Sequence, residues 1–198
     1  MNVYVTSDTH FCHRNILKYE PATRPWDSVD EMDEALIERW NAKVKRNDII
    51  YHLGDLIMGH KKKVPEILSR LNGEIHLVLG NHDRMLAKFD QKGILNIKPL
   101  GQEMLINKML SSIQTYTEVA HKGKNVMMSH YSMTVWNKMH YGSYMLFGHS
   151  HGNIKGVGKS MDVGIDACEI PSNGAPFLLD DVLDYLDTKK FIPIDHHR

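Results

Sequence analysis

The segment VYVTSDTH, residues 3–10, places an aspartate and a histidine directly after a short run of β-forming residues. Four later segments have the same design, in which an apolar run leads into a turn that carries Asp, Asn or His. They are IIYHLGD at 49–55, IHLVLGNHD at 75–83, VMMSH at 126–130 and MLFGHSH at 145–151. In α/β proteins, ligands bind at the carboxyl ends of the strands, where the loops converge on one crevice. We therefore expect the polar residues of all five turns to line a single site.

The segments between these runs predict helices, so the predicted fold class is α/β and the chain, residues 1–198, is interpreted as one domain. Over residues 29–44 apolar residues recur at helical spacing, and Ser28 with Glu31 makes the capping box that starts such a helix. Pro21 and Pro25 favour a loop, because proline interrupts a helix. The remaining expectations are a loop over 11–27, helices over 64–71 and 178–186, a short helix over 82–90, and one or two strands over 94–120.

Composition excludes several classes of function. Lys and Arg number 24, as do Asp and Glu, so the formal net charge is zero. This balance argues against binding a long nucleic acid or an anionic membrane, although it permits a small phosphate substrate. No apolar run approaches the ~20 residues of a membrane helix, and the first residues are too polar for a signal peptide. Cys12 and Cys168 cannot form a disulfide framework, so we expect a cytoplasmic location.

The candidate ligands at the five turns indicate a metal centre. They combine imidazole nitrogens with carboxylate and amide oxygens, without thiolates, which favours Mn, Fe, Zn, Ni or Mg. Asp8 and His10 are two residues apart, so in an extended segment both would point the same way and bind one ion. His149 and His151 share that spacing, and could serve one ion or two. The donors exceed the four of a structural zinc site, which favours two ions sharing a carboxylate. The candidates are Asp8, His10, Asp55, Asn81, His130, His149 and His151.

As an ordered set, these motifs resemble the calcineurin-like metallophosphoesterase family, in particular its small bacterial and phage members. The motifs are Asp8-x-His10, Gly54-Asp55, Gly80-Asn81-His82-Asp83, His130 and Gly148-His149-Ser150-His151, and they span about three-quarters of the chain. The resemblance implies a four-layer α/β/β/α sandwich with two central mixed sheets.

The resemblance also implies roles for individual residues. Asp55 would bridge two divalent ions, with manganese the expected metal. A hydroxide between the ions would attack a phosphate ester, while His82 assists the leaving group and Asp83 orients His82. The first ion would be held by Asp8, His10, Asp55 and His151, and the second by Asp55, Asn81, His130 and His149.

The expected substrate is a small phosphodiester or a nucleotide, because 198 residues leave no room for a DNA-binding cap. A phosphomonoesterase or a nuclease of the same family remains an alternative. So does a non-catalytic scaffold similar to the retromer subunit that resembles this family. The oligomeric state is left open.

Several residues around the motifs keep two interpretations. His13, Arg14 and Asn15 follow the first motif and either contact the substrate phosphate or are solvated loop residues. Tyr131 and Trp136 either stack on a nucleobase or pack in the core. Asp162 and Asp166 are either turn residues or hydrogen-bond partners of a ligand histidine.

Overall fold

A computed structural model describes residues 1–60, 62–88, 94–97, 102–105, 109–167 and 169–191 of the chain. Its strands, in chain order, are β1 (Val3–Thr6), β2 (Ile49–His52), β3 (Glu74–Val78), β4 (Ile94–Ile97), β5 (Gln102–Leu105), β6 (Ser112–Gln114), β7 (Tyr116–His121), β8 (Lys124–Ser129), β9 (Tyr144–Phe147), β10 (Ser160–Asp162) and β11 (Phe177–Leu178).

Two central mixed sheets confirm the predicted fold class. The first has the strand order β11-β1-β2-β3-β6, with β11 antiparallel to β1 and the other pairs parallel. The second has the order β10-β9-β8-β7, with only the β7–β8 pair antiparallel. Strands β4 and β5 pair with each other as a separate antiparallel ribbon. The parallel strands β1, β2 and β3 end at one edge of the first sheet, and β8 and β9 end at one edge of the second.

The helices largely follow the predictions. They are α1 (Ile16–Tyr19), α2 (Val29–Lys43), α3 (Lys63–Leu68) and α4 (Leu179–Asp187), with 3₁₀ helices at Asp83–Lys88 and Met139–Tyr141. The Ser28 hydroxyl accepts a hydrogen bond from the Glu31 amide at 3.2 Å, as the capping box predicts. Helix α1 was not expected. This single turn forms within the predicted loop because Ile16 is buried in the core there.

Three apolar clusters hold the layers together. Helices α2 and α3 cover the outer face of the first sheet, where Trp40 and Ile67 pack with Ile50. The inner face packs on the second sheet, with Val5 and Leu146 in one cluster that also contains the apolar side of α4. On the outer side of the second sheet, Trp136 and Met139 pack in one cluster with Met127, Met145 and Phe147.

The prediction of one or two strands over residues 94–120 was wrong. Strands β4 to β7 all begin in this range, although residues 98–101 and 106–108 lie outside the described parts. Strands β6 and β7 are edge strands of the two sheets. Both strands have only partly buried or exposed residues, so their apolar residues give a weak periodic signal. Cys168 also lies outside the described residues. In the parts that the structure describes, no helix is long and apolar enough to cross a bilayer.

Candidate metal centre

The turns at the strand ends have an unusual backbone conformation. Asp8, His10, Asp55, His149 and His151 all have positive φ angles, between 47° and 68°. A left-handed conformation costs a residue with a side chain about 1–2 kcal/mol, and such residues cluster at functional sites. Asp8 and His10 are therefore not in the extended segment expected from their spacing. The tight turns, rather than strand alternation, direct both side chains to the same place.

Asp8, His10 and His151 form one cluster of potential ligands, here called the Asp8 group. One donor atom of each lies within 4.8 Å of the others. Asp8 and His10 are buried, and among the described residues neither Asp8 Oδ1 nor His10 Nε2 has a hydrogen-bond partner. A buried polar atom without a partner is costly, and a bound cation would satisfy both atoms. The donor set of this group therefore fits a divalent ion.

Asp55, His130 and His149 form a second cluster, here called the Asp55 group, with donor atoms again within 4.8 Å of one another. The Leu53 carbonyl lies 2.8 Å from His130 Nδ1 and can only accept, so Nδ1 carries the proton and Nε2 is free to bind a metal. Asn81 Oδ1 lies 2.9 Å from that Nε2. His149 and His151, whose partition was open, belong to different groups.

Asp55 lies between the two groups. Its Oδ2 is 3.6 Å from His10 Nε2 and 3.6 Å from His130 Nε2. Its Oδ1 accepts a hydrogen bond from the backbone amide of His82 at 2.8 Å. One carboxylate oxygen thus faces histidine nitrogens of both groups, which is the arrangement that a bridging ligand requires.

Glycines allow the turns to approach this closely. A Cβ at Gly80 would lie 2.2 Å from Asp55 Oδ1, and a Cβ at Gly148 would lie 2.5 Å from Asp8 Oδ2. Any larger residue at either position would displace a candidate ligand. Glycine at these two positions is therefore a packing requirement of the site.

The environment of the Asp8 group suits a cation. Burial raises the pKa of Asp8 to about 8, and the charges of Asp162 and Asp55 act in the same direction. Burial also lowers the pKa of His10, assisted by the positive charge of Arg24, so His10 is neutral and able to bind a metal. A bound cation would offset the cost of an ionised Asp8 carboxylate in this buried position.

Asp83 lies where two of the turns meet. Among the described contacts, its carboxylate accepts hydrogen bonds from the backbone amides of Gly80, Asp55 and Leu56 at 2.8–3.0 Å, and not from the His82 ring. Asp83 therefore joins the β2 and β3 turns. None of the hydrogen bonds described for Asp83 reaches the His82 ring, so the role of orienting His82 stays a prediction.

His82 lies at the open side of the site. Its side chain is 41% exposed, and Nε2 is 4.0 Å from Asp55 Oδ2. The ring also packs edge-on against His10, with 5.6 Å between ring centroids. His82 is thus close enough to both groups to meet a ligand bound there.

Asp162 and Asp166 take different ones of their two interpretations: Asp166 is the hydrogen-bond partner of a candidate ligand histidine, and Asp162 is a turn residue. Asp166 Oδ2 lies 2.7 Å from Nδ1 of the candidate ligand His151. Asp162 accepts from the Ser150 hydroxyl and from the Gly152 amide, and so holds the turn that carries His149 and His151.

Sequence reasoning missed Arg24. Its guanidinium is buried and bonds to Asp166 and to the backbone carbonyls of Asp8 and Thr9. An arginine in a proline-containing segment gives no sequence signal for such a position.

The residues with two interpretations that flank the motifs differ in whether they contact a candidate ligand. His13 packs 5.2 Å from His10, between ring centroids, whereas Arg14 and Asn15 are exposed at the start of α1. Trp136 is a core residue, and its indole N–H bonds to Ser143. Tyr131 is 51% exposed, and its ring meets His149 edge-on at 4.7 Å.

Comparisons with known proteins agree with this geometry. Residues 1–160 match the family model described as the calcineurin-like phosphoesterase superfamily domain. The chain is 49% identical over 89 residues to an uncharacterized protein of Methanocaldococcus jannaschii, in a match that covers 44% of this chain and 49% of that protein. The matched segment thus spans about half the length of that relative.

Two further comparisons cover more of both proteins. The gene 66 protein of Mycobacterium phage D29 is 28% identical over 167 residues, covering 77% of this chain and 80% of the phage protein. Among solved structures, a protein of unknown function from Aquifex aeolicus superposes with a TM-score of 0.66 at 21% identity. That superposition covers 91% of this chain and 97% of the other, so the two proteins share a fold.

Proposed function

The chain belongs to the calcineurin-like phosphoesterase superfamily, and we propose that it is a metal-dependent hydrolase of phosphate esters that uses two divalent ions. The observation that carries this proposal is the position of Asp55 Oδ2, 3.6 Å from a histidine nitrogen of each group. The Asp8 group would hold one ion and the Asp55 group, with Asn81, the other. Asp55 would bind both.

Manganese is the proposed metal. The donors of the two groups are imidazole nitrogens and carboxylate oxygens, which suit Mn²⁺, Fe²⁺ and Zn²⁺. When bound, such ions supply positive charge for an anionic phosphate and lower the pKa of water from about 15.7 towards ~7. Asp8 and Asp55 neutralise only half of the four charges of two divalent ions, so the site retains a positive charge that attracts phosphate.

His82 is the proposed general acid. It lies at the open side of the site with its ring nitrogen 4.0 Å from Asp55 Oδ2, where it can reach a phosphate ester bound between the groups. From this position Nε2 would give a proton to the oxygen of the departing alcohol. General acid catalysis of this kind typically contributes about 10²–10⁴-fold to the rate.

The proposed substrate is a small phosphodiester or a nucleotide. Two features of the site's rim support it. Tyr131 offers an exposed aromatic face beside His149, and a nucleobase stacks well on such a face. The partly buried His13 ring on the other side packs against His10 and His82, and its imidazole N–H can donate to a phosphate oxygen.

Hydrolysis assays with added metal test this function. The protein is stripped of metal, supplied with Mn²⁺, and assayed with bis(p-nitrophenyl) phosphate and with p-nitrophenyl phosphate. We expect metal-dependent turnover of the diester, which Asp55→Ala abolishes and His82→Ala lowers by at least 10²-fold. Preference for the monoester would identify a phosphomonoesterase instead. Metal binding without turnover of either ester would favour the non-catalytic scaffold.

A further inference from the structure

Arg24 is a buried cation beside the candidate metal centre. Its side chain has 0% relative exposure in its ion pair with Asp166, whose side chain has 1%. The guanidinium forms a two-pronged contact, with Nε 3.1 Å from Asp166 Oδ1 and Nη2 2.7 Å from Oδ2. Its other donors reach the backbone: Nη2 donates to the Asp8 carbonyl at 2.6 Å and Nη1 to the Thr9 carbonyl at 3.0 Å. Arg24 therefore fixes the backbone of the turn that carries Asp8 and His10 through two hydrogen bonds.

Asp166 connects Arg24 to a second turn, the one that carries His151. Its Oδ2 lies 2.7 Å from Nδ1 of His151, and its Oδ1 accepts from the Thr23 hydroxyl at 2.6 Å. Its carboxylate also pairs through both oxygens with the buried guanidinium of Arg24, which is always positively charged. Asp166 is therefore an anion that fixes the proton of His151 on Nδ1 and leaves Nε2 directed away from it.

A buried ion pair is not in itself evidence of added stability. Removing both charges from water is expensive, and well-packed apolar residues in the same volume often stabilise a protein as well or better. The pair does, however, connect the two segments that supply the Asp8 group: the turn after β1 and the turn after β9. Both segments have left-handed residues, whose positions the local backbone alone does not favour.

We propose that Arg24 and Asp166 are positioning residues that preset the Asp8 group for its metal ion, an inference that rests on the two-metal site proposed above. Arg24 fixes the backbone of Asp8, and Asp166 fixes the ring of His151, so the three donors face one point before the ion arrives. A carboxylate behind a ligand histidine also strengthens that ligand, and its loss typically lowers metal affinity by about 10–100-fold.

The two groups differ in the hydrogen-bond partner of a ligand histidine, so the proposal predicts an effect on one group only. In the Asp55 group, Nδ1 of His130 meets the neutral carbonyl of Leu53 rather than a carboxylate. Loss of the Arg24–Asp166 pair should therefore weaken binding at the Asp8 group and leave the Asp55 group nearly unchanged.

Each group can be measured alone by disabling the other. His149→Ala removes a donor of the Asp55 group, and His151→Ala removes a donor of the Asp8 group. The dissociation constant of Mn²⁺ is measured by calorimetry in both backgrounds, with and without Asp166→Asn, which keeps the shape of the side chain and removes its charge. We expect about 10–100-fold weaker binding in the His149→Ala background, and a change within about twofold in the His151→Ala background.

A purely structural role for the pair would weaken both groups together, and that result would overturn the proposal, as would unchanged binding in the His149→Ala background. Should Asp166→Asn fail to fold because it leaves Arg24 unpaired, the double variant Arg24→Met/Asp166→Leu removes both charges, and circular dichroism checks its folding. A folded double variant with full Mn²⁺ affinity at the Asp8 group also overturns it. If the unsubstituted protein binds no Mn²⁺, the proposed function fails as well. If the unsubstituted protein binds Mn²⁺ and the substitutions do not weaken the Asp8 group, only the positioning role of Arg24 and Asp166 is overturned.

Discussion

The carboxylate of Asp83 accepts a hydrogen bond from the backbone amide of Asp55 at 2.8 Å. The same carboxylate also binds the amides of Leu56 and Gly80, so it fastens the β2 turn to the β3 turn. These two turns supply Asp55 and Asn81. Asp83 thus helps to order the site, although all of its described hydrogen bonds are to backbone amides.

Asp83→Asn should therefore destabilise the protein. An asparagine has one acceptor oxygen for the three backbone amides, and its amide nitrogen would face an N–H, so at least one N–H loses its partner, at a cost of about 1–3 kcal/mol in the free energy of unfolding. Urea unfolding of the metal-free protein measures this change. Asp184→Asn is the matched control, since Asp184 is 81% exposed and 3.7 Å from Lys124, and we expect a change below about 0.5 kcal/mol. Equal effects of the two substitutions would show that the Asp83 contacts are not important.

Gly148→Ala should weaken metal binding at the Asp8 group. The new methyl group would lie 2.0 Å from the Ser7 hydroxyl and 2.5 Å from Asp8 Oδ2, so the Asp8 carboxylate has to move. We expect at least tenfold weaker Mn²⁺ binding in the His149→Ala background and about 1–3 kcal/mol lower stability. Gly123→Ala is the control: Gly123 has a φ of +80° and nothing within 4 Å, so it adds backbone strain without displacing a ligand. Unaltered affinity in Gly148→Ala would contradict the tight packing of this turn.

His52 should make the protein sensitive to acid. It is fully buried, with Nε2 3.0 Å from the Thr9 hydroxyl, and burial lowers its pKa from 6.5 to about 3. In the unfolded chain the pKa returns to about 6.5. Below that pH the unfolded state takes up a proton that the folded state does not. The stabilisation is therefore complete above pH 6.5 and is lost as the pH falls towards 3, by about 1.4 kcal/mol per pH unit.

Comparison with His52→Gln isolates this effect from the other histidines. Urea unfolding in EDTA at pH 7.0, 5.5 and 4.5 gives the free energy of unfolding of both proteins. The difference between them should shrink steadily as the pH is lowered below about 6.5. A difference that stays constant over this range would mean that His52 titrates normally in the folded protein.

Tyr131 should affect the binding of nucleotide substrates. Its exposed ring lies beside His149, at the edge of the Asp55 group. Stacking of a base on an aromatic side chain contributes about 1–3 kcal/mol, so Tyr131→Leu should raise KM for a nucleotide substrate about 5- to 150-fold. Tyr131→Phe keeps the aromatic face and should keep KM. The same KM for the Leu and Phe variants would indicate that the base does not stack there.

The site was easier to predict than the elements around it. The seven candidate ligands lie in turns that follow apolar runs. Because ligands of α/β proteins bind at the carboxyl ends of the strands, the five turns could be assigned to one site from the sequence alone. The structure brings these residues together. The helix over Val29–Lys43 was also predictable, because its capping box and its apolar spacing lie within one short segment.

The parts that could not be predicted depend on contacts between distant residues. Arg24 reaches Asp166 across 142 positions of the chain, and nothing near Arg24 in the sequence signals that partner. The left-handed conformations of Asp8 and His10 arise from their bonds to the β2 turn, where Asp8 N donates to Gly54 O and His10 N to Asp55 O. These hydrogen bonds join residues that are distant in the sequence, and they form only when β1 and β2 pair, so the local sequence does not predict them.

The central claim is that Asp55 joins two metal ions in one site. The most direct measurement is the number of Mn²⁺ ions bound per chain together with the electron paramagnetic resonance spectrum of the loaded protein. Two ions per chain with a spin-coupled spectrum is the result expected, since ions that share one carboxylate interact magnetically, and Asp55→Ala should remove the coupling. One ion per chain, or two ions with the spectrum of isolated Mn²⁺, would contradict it.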